Sequence, residues 1–476
     1  MQLPVLQRSN DPIRDGDMVP SSFIPYPELN NADIIDNSLD PELKLPRRAS
    51  LVIMITANAL LQLNSLVEIS FFIIVSSSNE YALHLGGTST FSGIVIGIPT
   101  IFSGLALIPL ARYDRGGYKI PLHVSCAASL LGHILYALAY RFSYLYLILI
   151  GRMVSGLSFT LWMYCKRFCS DPSLVGVRRR TTLAACLVVG QGLGISLGPF
   201  AGGLLYKVGF ANDIWNGFTA PAWVMVGVWS VFWVLAALWY EDAPSAPAPT
   251  PISNAADDIV PEEITASPAP PLPTPYILTT QQWGVIACMC WFAMTCFFIL
   301  GAWESNLPVF GAATAQLHWT PFSAGNFIAL GGITTFPFLM LNFVLARRTQ
   351  DRLILASGTF LGLAALVVFL VLLSTRGHAV NYGSLFFCWW AVALGFNLAT
   401  TVTMSTLSKQ LPAHWNGRTS LAIQYSNYTG RVAGAVWGGS GVAVGMRGYV
   451  GLQIALVGVG AVLFIGLWRD LKTKVG

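Results

Sequence analysis

Twelve apolar stretches, each long enough to cross the hydrocarbon core of a bilayer, leave this chain few ways to fold. They lie near 51–76, 91–111, 120–140, 144–165, 182–206, 220–240, 283–303, 322–346, 353–374, 383–406, 419–441 and 449–468. A core of roughly 30 Å takes about 20 helical residues to span. No water satisfies the backbone there, so spanning segments are helices or strands of a closed barrel. The alternating pattern of a membrane barrel is absent. Only 10% of the residues are charged, where soluble domains carry roughly 25%. The expected fold class is therefore all-α and integral to a membrane, with twelve transmembrane helices and the lipid bilayer as solvent.

The remaining stretches set the domain plan. Residues 1–50 hold eight acids, five basic residues and seven prolines, a composition that buries no core and reads as a disordered tail. No cleavable signal peptide is visible, so the first helix is expected to serve as the signal. Residues 241–281 are rich in Pro, Ala and acids and contain no Lys or Arg, which reads as a flexible linker. It separates a six-helix unit at 51–240 from a second at 282–468, with a C-tail at 469–476. With the N-terminus placed in the cytoplasm, 21 Lys and Arg fall on the inner side and 4 on the outer. That bias puts both termini, and the linker, on the cytoplasmic side.

The two halves echo each other. STFSG at 89–93 matches TPFSAG at 320–325, RTTLA at 180–184 matches RTSLA at 418–422, and Glu68 and Glu304 fall late in the first helix of each half. Recurrence in the same order points to a duplication, hence two pseudo-symmetric six-helix bundles.

Three local patterns carry more. The loop after the second segment reads LARYDRGGYK, 110–119; the fourth segment contains GRMVSG, 151–156; the fifth contains GLGISLGPFAGG, 192–203. Together they resemble the signatures of the major facilitator superfamily. Asp114, Arg115, Gly117 and Lys119 match its loop signature, although Leu110 stands where the family usually has Gly. A carboxylate and basic residues at helix ends can form a latch that holds one conformation; the plainer reading is a basic cytoplasmic loop. Arg152 and Gly156 match the fourth-helix signature, whose arginine the family associates with proton coupling. A membrane-buried arginine costs about 2.5 kcal/mol or more, so Arg152 is expected either to pair with Glu68, at similar depth, or to snorkel to the outer interface. Gly194, Gly198, Pro199, Gly202 and Gly203 match the fifth-helix signature of exporting, antiport-type members; the alternative is a glycine-rich packing face.

Polar side chains inside the apolar segments mark candidate cavity walls. Asn58, Gln62, Asn64, Ser65 and Glu68 share an arc of the first segment. Gln424, Asn427, Tyr428 and Arg431 share one face of the eleventh. Either set serves a substrate or glues helices together. Arg431 can attract an anionic or polar substrate, or pair with Glu304, which the hydropathy places at or beyond the outer end of the seventh segment. His123 and His133 are relay candidates, with structural roles the commoner outcome. Asn427-Tyr-Thr is a formal glycosylation sequon but lies inside a membrane segment.

No nucleophile–base set, metal spacing, phosphate loop or nucleic-acid groove pattern is present in the sequence, and the eight cysteines read as buried thiols. The expectation is a secondary transporter rather than an enzyme. It would move a small molecule by alternating access, exporter-like, driven by a proton gradient without a bound cofactor or metal, and act as a monomer. The plasma membrane and a vacuolar or lysosomal membrane are both open, as are a channel-like conductance and a non-transporting receptor on the same scaffold.

Overall fold

A computed structural model describes residues 63–112, 117–170, 174, 177–209, 212–241, 278–345, 349–375, 380–412 and 415–472. The expected N-tail and most of the expected linker lie outside these residues. Among them every regular element is helical. The first half holds α1 (Leu63–Phe72), α2 (Ser78–His84), α3 (Ser89–Arg112), α4 (Lys119–Arg141), α5 (Leu145–Gly156), α6 (Thr160–Ser170), α7 (Val177–Val208) and α8 (Ala220–Trp239). The second holds α9 (Thr280–Ala313), α10 (Pro321–Leu345), α11 (Asp351–Ser374), α12 (Tyr382–Thr401), α13 (Thr403–Gln410), α14 (Asn416–Val444) and α15 (Met446–Gly466). Two expected spans are composite, α5 with α6 through a 3-10 turn at Leu157–Phe159 and α12 with α13; α1 is the described helical part of the expected span 51–76, and α2 begins beyond its end.

Local signals account for several boundaries. Thr279 with Gln282, and Asn381 with Ser384, form capping boxes that start α9 and α12. Gly445, at φ +92°, supplies the left-handed residue that separates α14 from α15. Among the described residues nine spans are long and apolar enough to cross a bilayer. Their outer faces are apolar, with Leu238, Phe360, Val462 and Ile465 each more than 70% exposed. Large aliphatic side chains turned outward this far match lipid, not water.

The twelve spans form two six-helix bundles, and glycine governs the close contacts inside each. A methyl group on Gly202 of α7 would strike the Ile73 carbonyl, and one on Gly198 would strike Phe72. In the second bundle Gly430, Gly434 and Gly438 of α14 lie against the carbonyls of Met294, Phe298 and Ala302 in α9. Gly132 and Gly151 bring α4 onto α5 as Gly358 and Gly395 bring α11 onto α12. The same pairs of spans are thus welded in both halves, as a duplication requires.

The bundles meet along two further glycine seams. Gly93 and Gly97 of α3 press on Ala435 and Val432 of α14, and Gly203 and Gly325 bring α7 onto α10. Ser440 donates to Thr90 at 3.1 Å, and Tyr425 donates to the Gly104 carbonyl at 3.1 Å. Close packing of α3 against α14 therefore runs through these glycines, away from Leu110. Both seams lie toward the end of the molecule that carries Ser89 and Pro321, and that end is sealed.

Candidate functional site

Between the bundles lies a cavity of about 630 Å³, lined by α1, α3, α6, α7 and α9–α14. It reaches from mid-depth to the end opposite the seal, where Lys166, Asn342, Asp351 and Lys409 line it. At its deep end Arg431 donates through Nη2 to Glu304 Oε2 at 2.5 Å. The glycine stripe of α14 sets this pair up: Gly430 and Gly434 bring the α14 backbone against α9, so adjacent side chains can meet. The Arg431 guanidinium also lies 4.9 Å from the Phe71 ring and 5.1 Å from that of Phe72, across the bundle interface. Cation–π attraction holds it there while Glu304 neutralises it.

Two expectations are corrected by this arrangement. Glu304 does not sit at the end of its helix, because α9 continues to Ala313. The polar run Glu304-Ser305-Asn306 stays inside because α14 satisfies it: Ser305 donates to the Ala435 carbonyl and Asn306 to the Gly438 carbonyl, both at 2.9 Å. Nor does Arg152 pair with Glu68, or snorkel. Its residue is 1% exposed. Arg152 Nε donates to the Val95 carbonyl at 3.3 Å and Nη2 to the Phe71 carbonyl at 3.5 Å.

Both carbonyls are orphans of their own helices. The natural donor to Val95 would be residue 99, a proline inside α3. The natural donor to Phe71 would be Val75, but α1 breaks after Phe72 and Val75 donates to the Phe72 carbonyl instead. Arg152 closes both gaps, and its guanidinium stacks 5.1 Å from the Phe71 ring. Phe71 thus contacts Arg152 from its own bundle and Arg431 from the other. Gly156 packs on Pro99, which brings α5 to the proline of α3.

Glu68 is buried in the cavity wall and makes no hydrogen bond or ion pair among the described residues. The charges that act on it are Arg431, Glu304 and Lys166. Lys166 lies with its ammonium 4.1 Å from the Trp162 ring. Gln424, Asn427 and Tyr428 line the cavity with Arg431, as one face of α14 requires. Asn427 Oδ1 is buried there without a hydrogen-bond partner among the described residues, and Tyr428 shares a hydrogen bond with Ser103 of α3 at 3.0 Å and lies beside the Gln424 amide. Near the mouth, Asp351 accepts from Lys409 at 3.0 Å and Ser405 at 2.9 Å.

The other sequence candidates divide. Asn58, Gln62, Asp114 and Arg115 lie outside the described residues. Asn64 belongs to α1, Gly117 precedes α4, and Lys119 begins α4 on an exposed face. Gly194 is buried within α7, whereas Gly198, Pro199, Gly202 and Gly203 form its contacts to α1 and α10. The two histidines are held by helix packing: His133 bonds Ser70 at 2.5 Å, and His123 accepts from Trp233 at 2.8 Å. The residues that the sequence reading passed over are Phe71, which carries no polar signal, and the Gly430–Gly434–Gly438 stripe, whose small-xxx-small spacing was there to be read.

The Major Facilitator Superfamily profile matches residues 59–435. An uncharacterised MFS-type transporter of Schizosaccharomyces pombe is 30% identical over 448 residues, covering 92% of this chain and 85% of the relative. Among solved structures, the inward-facing, occupied form of a bacterial homologue of the human lysosomal transporter Spinster superposes with a TM-score of 0.62. It is 12% identical and is covered over 98% of its length by 88% of this chain. A D-xylose–proton symporter gives a TM-score of 0.62 at 14% identity, with 87% and 98% covered. At these identities the two structures speak for the fold.

Proposed function

The chain belongs to the major facilitator superfamily, and from that premise we propose that it is a proton-coupled secondary transporter that carries a small organic molecule out of the cytoplasm by alternating access. The observation that carries this reading is the cavity itself, sealed at one end by two glycine seams and walled at mid-depth by charged and amide side chains. Such a site at the interface of two bundles is where rocking exposes a substrate to each side in turn. The excess of Lys and Arg on loops at the end the cavity approaches supports an inward-facing state with both termini cytoplasmic. The fifth-helix signature supports export. A D-xylose–proton symporter has the same fold, so the fold is compatible with proton coupling.

Glu68 is the coupling carboxylate in this reading. It lies on the wall opposite the Glu304–Arg431 pair and has no fixed partner, so protonation changes its charge without breaking the fold. Identification of a substrate by uptake-and-efflux screening of a knockout, followed by reconstitution, tests it. In proteoliposomes Glu68→Gln is expected to abolish proton-driven accumulation while leaving substrate exchange measurable. Unchanged proton-driven transport in this variant would remove Glu68 from the mechanism. Fluorescent tagging separates the plasma membrane from the vacuole or lysosome.

A further inference from the structure

We infer that the transported molecule carries an oxyanionic group, a carboxylate or phosphate-like anion, received by Arg431, and that Glu304 gives up Arg431 to it by taking a proton. This deepens the transporter reading and rests on it. Arg431 makes one hydrogen bond to protein among the described residues, through Nη2 to Glu304. A guanidinium carries five N–H groups in a planar fork suited to carboxylate and phosphate. The rest of the fork has no protein acceptor among those residues, and the side chain keeps 12% exposure in the cavity. Gln424 lies two turns along the same face of α14, and its amide, beside the Tyr428 hydroxyl, lines the same cavity. Guanidinium donors that face the cavity without a protein acceptor are placed to receive a ligand that accepts.

The rings of Phe71 and Phe72 complete the arrangement. They hold the Arg431 guanidinium independently of Glu304, so it stays in place when the carboxylate lets go. The exchange balances: one proton enters from the aqueous end of the cavity and neutralises Glu304, and one anionic group replaces the lost carboxylate at Arg431. The neighbours of Glu304 fit this role. Arg431 faces it from α14 and Glu68 acts on it from α1, while Tyr428 of α14 and Lys166 of α6 line the same cavity. Lys409 is engaged by Asp351 near the mouth, α15 offers Gln453 to Trp303, and the described lining residues of α3, α10 and α12 are uncharged. A cationic group placed at the deep end would instead meet Arg431.

Calorimetric titration of the full chain in detergent with sulfate, lactate and tetraethylammonium tests the inference without transport. All three keep their charge between about pH 5.5 and about pH 7.5, so a pH effect belongs to the protein. Sulfate or lactate is expected to bind about tenfold tighter at the lower pH, the two arms separating tetrahedral from planar recognition. Glu304→Gln is expected to bind the anion at the higher pH as the wild type does at the lower. Arg431→Gln is expected to lose it at both, and Arg431→Lys to weaken it, with size-exclusion profiles unchanged. Anion binding that survives Arg431→Gln, pH dependence that survives Glu304→Gln, or binding of tetraethylammonium alone overturns the inference. Anion binding of the expected pattern without any transport in proteoliposomes upholds the proton-gated anion site at Arg431 and overturns the transporter reading instead.

Discussion

Arg152 illustrates how a single residue can be read correctly as important and wrongly as to partner. Its cost in the membrane demands compensation, and Glu68 at similar depth was the natural partner on charge grounds. The compensation comes from two main-chain carbonyls, one freed by Pro99 and one by the break after Phe72. The proline was visible in the sequence; the break was not, because residues 73–77 remain apolar apart from two serines and carry no helix-stop signal. Replacing Arg152 by Leu strands both carbonyls at roughly 1–3 kcal/mol each. Arg152→Leu is expected to lower the unfolding midpoint in detergent well beyond any change in Glu68→Gln, read by thermal unfolding of the two purified variants. Equal midpoints would show that the carbonyl contacts carry no weight. Arg431 fared better, since its pairing with Glu304 was among the readings of the sequence. Hydropathy hid only the depth, because a run of Glu, Ser and Asn looks like a helix end until its partners on α14 are known.

Helices and their seams were legible to different degrees. Nine of the twelve expected spans recur among the described residues as helices long and apolar enough to cross a bilayer, and the parallel between the halves was readable from short repeats. Which faces meet was not, since a glycine in a membrane helix marks a close approach without naming the neighbour. Gly198 and Gly202 turn out to seat α7 on α1, while Gly203 seats it on α10, so the fifth-helix signature joins packing within a bundle to the seam between bundles. The seam formed by α3 and α14 offers a direct test. Gly93 faces the Ala435 carbonyl too closely for any side chain. Gly93→Val is therefore expected to part the sealed end. With the native cysteines replaced, a T90C reporter is expected to react with a membrane-impermeant maleimide at least several-fold faster in the Gly93→Val background. An unchanged rate would show that this seam does not close the end of the molecule.

Two pseudo-symmetric bundles share one cavity, and access to it is set by which end is sealed. The packing that welds α1 to α7 and α9 to α14 belongs to each bundle, whereas the α3–α14 and α7–α10 seams must open if the bundles rock. Protonation biases that rocking if the carboxylates at the cavity's deep end differ in partners between the two states. The most direct measurement is a pair of spin–spin distances on the full chain in nanodiscs, one across the sealed end between T90C and F322C, one across the other end between R167C and Q410C. On acidification, and in Glu304→Gln at neutral pH, the account predicts that the two distances change in opposite directions, one end opening as the other closes. Distances that stay fixed, or that lengthen together, would contradict it.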